Sequence, residues 1–542
     1  MPTVNLNKNE LEKLAGKKLS IDKLKDRISM LGTDLEDIKG NEIIVELFPD
    51  RPDMLSEQGF ARAFSSFIGV KKGLREYKAK KSNYNLIIDD SVKNIRPFTS
   101  CAIVKNLKFD GEKIKQVIQI QEKLHVGYGR NRKKCAIGIY PLEKIKFPIH
   151  YRALEPEKII FTPLESKREM NGNEILEKHP AGKEYGHLLK EKNKFPVFVD
   201  AGNNILSMPP IINSENTGKI TGKTKEIFIE VSGFDYNVVS KCLSIIVCSL
   251  IDMKGIAYEI ELKYGNKKIT SPSLKPESMK IDINYANKIL GLNLRENDIK
   301  NYLERMGYDY SKGKVIIPCY RTDIMHQADI IEDIAIAYGY ENFKEEIPNV
   351  STLGSEDESE KFKRKIKDIL IGFGYLECNS YNLISGDVLN KMEFKMNNIK
   401  VLNPVNIDYN TLRSWMIPSL MKILSENKHH EYPQKIFEAG TAFEKEESEN
   451  LGLLSCHANA NFTEVKQILD YMFNALGLKY NLEEAEHDSF IKGRAGMIKC
   501  NGKKMGYIGE LHPKIITNFN LELPVAGFEI NLSELSKLVI QY

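Results

Sequence analysis

One stretch divides this chain before anything else can be said about its fold. Residues 347–364, "IPNVSTLGSEDESEKFKR", are polar, carry Pro348 and Gly354, and break the apolar periodicity on either side. A single core is not expected to run through such a segment, so a domain boundary belongs near residue 350. Length agrees with this, because 542 residues exceed one ordinary domain and allow roughly three or four. With 42% hydrophobic and 28% charged residues, the chain can build several cores.

Four segments are expected. Residues 1–84 read as a small α/β unit. A short strand, "TVNL", precedes a helix, "SIDKLKDRISMLG", that Ser20 caps and Gly32 ends. A strand then runs into the turn "FPDRPDM", a helix follows in "LSEQGFARAFSSFIGV", and the basic "KKGLREYKAKKS" closes the unit as a linker or exposed edge. Residues 85–268 hold many short β-like runs interrupted by helical patterns, which predicts a mixed α+β domain. Within it "IAYEIELKYG" reads as one closing strand. Residues 269–346 form a strand–helix–hairpin–helix unit whose hairpin turns at Lys312-Gly313. Residues 347–542 alternate helices with strands and predict a second, larger domain on a mostly antiparallel sheet. The fold class is therefore α+β and multidomain.

The densest chemistry lies in "PCYRTDIMHQADIIEDIAIAYGY", residues 318–340. At about 100° per residue from Gln327, Asp329, Glu332 and Asp333 share one arc of a helix, and Ile331, Ile334 and Tyr338 lie opposite. Asp323 sits ahead of the first turn. Carboxylates converging without a cation raise one another's pKa values, and a hard ion such as Mg²⁺ is one remedy. A solvated helix start is the other, since acids there complement the helix dipole. From spacing alone the solvated start is the simpler account.

Charge excludes a general nucleic-acid coat: 78 basic against 74 acidic residues leave +4, so contact with nucleic acid has to come from local patches. The best patch is Arg130, Arg132, Lys133 and Lys134 in "HVGYGRNRKKCAIG", which suits either a phosphate backbone or plain solvent. The eight cysteines contain no CxxC pair, which disfavours a disulfide framework and a zinc ribbon. The first residues carry no apolar signal core, and the longest apolar run, "LSIIVCSLIDM", is too short to span a bilayer. A cytoplasmic chain without membrane contact is expected.

Other signals are weak. "TGKITGKT", residues 217–224, has three residues between its glycines where a phosphate loop has four, and an apolar β-run follows it, so a surface hairpin is expected. His429 and His430 lack partners at metal-ligand spacing and read as exposed helix-end residues. His125 suits either a site or ordinary packing, and Trp415 reads as core.

Seven stretches taken in order carry a resemblance: "LFPDRPDMLSEQGFARAF", "GRNRKKCAIGIY", "LSMPPIINS", "EIFIEVSGFD", "YRTDIMHQADIIEDIAIAYGY", "NPVNIDYNTLRSWMIPSLM" and "KIFEAGTAF". Together they resemble the β subunit of phenylalanyl-tRNA synthetase, in its archaeal and eukaryotic form. The resemblance implies a Mg²⁺ site at Asp323, Asp329, Glu332 and Asp333, near the contact with a catalytic α subunit. It implies an α₂β₂ heterotetramer that attaches phenylalanine to its tRNA with ATP. It implies that 269–346 is a metal-binding, winged-helix-like unit and that 347–542 is a silent copy of the class II synthetase fold. Arg413 stands where motif 2 should be, without the glutamate that accompanies that arginine, and "VAGFEINLSELSKL" has no arginine for motif 3. ATP phosphates are hard to hold without such cations.

The resemblance also implies that 85–268 is an editing domain hydrolysing mischarged tyrosyl-tRNA, with Ser207, Glu230 and Ser232 in its pocket. A pocket that takes tyrosine but refuses phenylalanine needs a polar group for the phenol. Where the family has His-Asp, this chain has Tyr140-Pro141. The lost acid–base pair predicts editing that is weak, altered or absent. Two rival readings make different forecasts. A free-standing deacylase would hydrolyse tyrosyl-tRNA as a monomer, and a nucleic-acid-binding scaffold would bind tightly with no partner subunit.

Overall fold

The computed structural model describes residues 2–395 and 397–539. The chain forms two compact units, Met1–Glu346 and Ile347–Tyr542. No helix among the described residues is long and apolar enough to cross a membrane.

The first unit opens on a three-stranded antiparallel sheet of Thr3–Asn7, Glu42–Glu46 and Asp34–Lys39, with the middle strand last in sequence. Helix Glu57–Phe67 is capped by Ser56, whose Oγ accepts the Gly59 N–H. Two larger sheets then stack. The five-stranded sheet orders Ala79–Lys80, Ile256–Tyr258, Phe98–Lys105, Ile227–Gly233 and Cys135–Pro141, which leaves Cys135–Pro141 at an edge. Strand alternation builds a core on each face. Ala102, Val104, Ile229 and Val231 pack with Val239, Leu243, Ile246 and Leu250 of helix Tyr236–Asp252. Cys101, Ile103, Tyr140 and Phe228 point the other way, onto Leu86, Tyr151, Phe198 and Ile260 of a seven-stranded sheet. Each such aliphatic or aromatic side chain contributes about 1.5–3 kcal/mol on burial.

The structure corrects two expectations. "IAYEIELKYG" is two strands, Ile256–Tyr258 and Ile260–Tyr264, in different sheets. The chain changes sheets at Glu259, whose N–H bonds to Lys80 O. "TGKITGKT" is not a hairpin: helix Glu215–Gly218 ends inside it and a turn leads to Ile227–Gly233. Ser214 caps that helix through the Asn216 N–H, a signal that the glycines masked.

The acidic helix, Gln327–Tyr338, packs beside helices Ile283–Leu290 and Glu296–Arg305. A small sheet orders Glu277–Lys280, Lys314–Ile317 and Asp309–Ser311. Its hairpin does turn at Lys312-Gly313, where both residues have positive φ (51° and 74°) as a type I′ turn requires.

The second unit carries a seven-stranded sheet, antiparallel except where Leu376–Glu377 joins Gln434–Phe443. Leu451 and Leu453 face helices Glu358–Gly372 and Phe462–Ala475, while Leu454 and Cys456 face helix Ile417–Glu426 and Trp415. Trp415 is core, as its sequence context indicated.

Candidate functional site

Two places collect chemistry in the first unit, and a third lies in the second. The first is the start of the acidic helix. Asp329 is in the first turn, and its Oδ2 accepts the N–H groups of Met325 and His326 at 2.8 Å each. It is thus held by the helix terminus it caps. Asp333 does not share the solvated face that spacing suggested. It is buried at 4% exposure because a cation waits inside. Arg321 clamps Asp323 with Nε and Nη2 at 2.9 and 2.5 Å and reaches Asp333 with Nη2 at 2.7 Å. The Tyr308 phenol also donates to Asp333, and its ring lies 5.1 Å from the guanidinium carbon.

Arg321, two residues ahead of Asp323, is therefore the cation that answers part of this cluster. Burial alone would lower the Arg321 pKa, but Asp323 and Asp333 outweigh it and hold the group charged. Next to this lies a second buried pair, Arg51 with Asp53 at 2.8 and 2.9 Å, from the "FPDRPDM" turn.

Glu332 is the acid left over. It has no hydrogen-bond or ion-pair partner among the described residues. Burial first, then Asp333, Asp50, Asp329 and Asp323, push its carboxyl up. The four acids do not form a tight ligand cage. Among the described residues, the one group of three or more potential ligands with atoms all within 4.8 Å is Asp34, Glu36 and Glu46, elsewhere in the unit. Mg²⁺ prefers one or two carboxylates and several waters, and Glu332 with Asp329 fits that donor set. Asp323 and Asp333 are already matched by Arg321.

The second place is a cleft of about 480 Å³ at the open edge of strand Cys135–Pro141. Glu230 forms part of its wall, beside Asn213, Pro210 and His125. Of the three pocket residues expected, only Glu230 lines this cleft. Ser232, on the same strand face, instead accepts from Arg96 Nε at 3.1 Å, and its carbonyl accepts from Arg96 Nη2 at 2.7 Å. Ser207 is buried with no well-formed hydrogen bond, close enough to the Tyr140 phenol to influence it. Glu230 Oε1 accepts from the Tyr140 hydroxyl at 3.2 Å, and Oε2 has no partner.

Burial raises the Glu230 pKa from 4.5 to about 8, against smaller opposing effects of Tyr140 and Arg96. The folded state therefore keeps a proton that the unfolded chain gives up above pH 4.5. Stability attached to this group is full below that pH, falls by up to about 1.4 kcal/mol per pH unit, and levels off above the folded value. Glu230→Gln is expected to remove this slope between pH 4.5 and 8. Urea titrations at several pH values check it, and parallel curves for the two proteins would contradict it.

The remaining signals resolve simply. His125 is a packed histidine: its Nε2 accepts the Ile137 N–H at 2.8 Å and burial lowers its pKa. The basic turn splits. Arg130, Lys133 and Lys134 are exposed, whereas Arg132 turns inward to the Ile211 carbonyl at 2.8 Å and stacks 4.2 Å from the Tyr185 ring centre. His429 and His430 are exposed beyond helix Ile417–Glu426.

In the second unit Arg413 is fully enclosed. Nε donates to Thr441 O at 2.7 Å, Nη1 to Ser380 Oγ and Glu438 Oε1 at 2.8 and 2.6 Å, and Nη2 to Asn382 Oδ1 at 3.1 Å. Its carboxylate partner is Glu438, on strand Gln434–Phe443. Sequence reasoning could not see this, because the pairing spans 25 residues. Glu529, also buried, accepts the N–H groups of Met416 and Ile417 and so caps helix Ile417–Glu426.

With this geometry in hand, comparison with known proteins is decisive. The family model for the phenylalanyl tRNA synthetase beta chain CLM domain matches residues 344–532, and that for the tRNA synthetase B5 domain matches 279–340. The phenylalanine–tRNA ligase beta subunit of Thermococcus sibiricus is 40% identical over 98% of this chain and 98% of its own. The chain belongs to the phenylalanine–tRNA ligase β-subunit family. The Pyrococcus abyssi β subunit is likewise 40% identical, covering 99% of this chain and 100% of its own. A crystal structure of an N-terminal fragment of the Pyrococcus horikoshii β subunit has a TM-score of 0.60 and 39% identity, covering 62% of this chain and 99% of that one. As a β subunit, the chain is a component of an aminoacyl-tRNA ligase, and its acidic helix falls within the B5 match.

Proposed function

We propose that this β subunit is the non-catalytic, tRNA-binding partner of a separate α subunit, in a cytoplasmic α₂β₂ ligase that charges tRNA with phenylalanine. The observation that carries this reading is Arg413. Four of the five N–H donors of its buried guanidinium are spent on the protein's own groups, which leaves no fork to grip ATP phosphates and favours activation on the α subunit. An exposed apolar segment supports a partner: Leu402 and Val405 are 91% and 107% exposed, with Ile407 and Tyr381 of the same unit also exposed. Surfaces of this kind are unusual on a free-standing protein, which favours a subunit over an independent deacylase. The exposed Arg130, Lys133 and Lys134 suit a tRNA backbone.

Mg²⁺ belongs to this reading at Asp323, Asp329, Glu332 and Asp333, with Glu332 and the Asp329 oxygen not used in capping the helix as the donors that would hold it. Bound there, it would supply positive charge to an acid cluster that Arg321 neutralises only in part. Glu332→Ala combined with Asp329→Ala is expected to weaken association with the α subunit, on the order of tenfold or more for the loss of two charged ligands. Native mass spectrometry of the co-expressed subunits checks it. A complex unchanged by the variant and by excess chelator would remove the ion from assembly.

A further inference from the structure

Tyr140 lies behind the cleft wall, against Glu230, and the proposed function does not use it. It is completely buried, with its ring stacked 5.8 Å from Phe228 between the two sheets. Its hydroxyl meets Glu230 Oε1 at 3.2 Å and Asn213 Oδ1 at 3.4 Å, beside Ser207. Room for it comes from Gly138, which lies opposite Glu230 in the strand pairing. A Cβ at position 138 would stand 2.2 Å from the phenol oxygen and 2.4 Å from Glu230 Oε1. The slot is thus shaped for a phenol and lined with polar groups that meet its oxygen. It adjoins the 480 Å³ cleft through Glu230, whose Oε2 is buried and unpartnered.

We infer that Tyr140 is a built-in occupant of a phenol-reading slot, so the native chain does not admit a tyrosyl side chain there. The relevance of this to mischarged tRNA rests on the β-subunit reading, but the occupancy itself does not. A buried carboxyl with one oxygen unpaired is costly, and the phenol of Tyr140 satisfies the other oxygen permanently. A substrate phenol would have to displace a side chain that is fixed in the strand and packed on Phe228. Removing that side chain leaves a cavity of matching shape, with Glu230 and Asn213 ready for a phenol from outside.

The test uses the full chain co-purified with its α subunit, as native protein, Tyr140→Ala and Tyr140→His. The probes are p-cresol and, lacking the hydroxyl, toluene. The native complex is expected to show no saturable p-cresol binding by calorimetry and no hydrolysis of tyrosyl-tRNA above the spontaneous rate. Tyr140→Ala is expected to bind p-cresol at least about tenfold more tightly than the native complex, as emptied cavities bind their lost side chain's shape, and to prefer it over toluene. Tyr140→His fills less of the slot and gives the same ranking in a smaller degree, which serves if the alanine variant fails to fold. Cresol binding or tyrosyl-tRNA hydrolysis by the native complex would overturn the inference, as would folded variants of both kinds that bind cresol no better than the native complex. Phenylalanylation is measured on the same preparations. Its absence from the native mixture would count against the β-subunit reading and leave the cresol result standing on its own.

Discussion

Arg321→Ala is expected to cost the first unit about 3–5 kcal/mol of stability, the range for removing one partner of a buried ion pair. Both side chains of the Asp323 clamp are largely buried, at 2% and 11% exposure, and the Asp333 side chain beyond them at 6%. Without the guanidinium two carboxylates lie close together, and among the described residues Tyr308 is the side chain left to donate, to Asp333. Arg321→Lys is expected to recover part of the loss, because a point charge replaces a bidentate fork. Urea unfolding followed by circular dichroism measures it. A loss below about 1 kcal/mol would give the arginine the worth of a surface pair. The same variant probes the cation reading. With the arginine gone, Mg²⁺ should stabilise the variant more than the parent, since binding to the native state adds stability by mass action.

Arg413→Met is the second large effect, and its two halves point in opposite directions. Arg413 and Glu438 are each 2% exposed at 2.6 Å, so the lone substitution should cost the second unit about 3–5 kcal/mol by stranding Glu438. Replacing both, as Arg413→Met with Glu438→Leu, should restore most of it, because a buried pair exchanged for apolar groups is close to neutral. Phenylalanylation per assembled complex should stay within about twofold of the parent, far from the hundredfold or more that losing a transition-state donor costs. An intact, folded complex with its turnover collapsed would place Arg413 in the chemistry and contradict the silent-site account.

What the sequence revealed follows the range of the forces involved. The Lys312-Gly313 hairpin and the helix at 327–338 depend on local backbone preferences and apolar periodicity, and both were readable. So was the mostly antiparallel sheet of the second unit, whose strands alternate inward and outward residues. The burial of Asp333 was not readable. A helical wheel places it with Asp329 and Glu332, and only Arg321 and Tyr308, 12 and 25 residues earlier, turn that position into an interior one. The glutamate for Arg413 was hidden for the same reason. Glu230 was found through resemblance, but its contact with Tyr140 was not, since it arises from strand register across Gly138. The sheet change at Glu259 leaves no mark in "IAYEIELKYG", where an apolar alternation continues through the crossing.

The measurement closest to the central claim is phenylalanylation of tRNA, together with ATP–pyrophosphate exchange, by this chain alone and after co-expression with an α subunit. The account predicts no exchange by the chain alone, because the buried Arg413 is tied to the protein's own groups, and full activity from the mixture at the mass of an α₂β₂ particle. Exchange by the pure chain would contradict it.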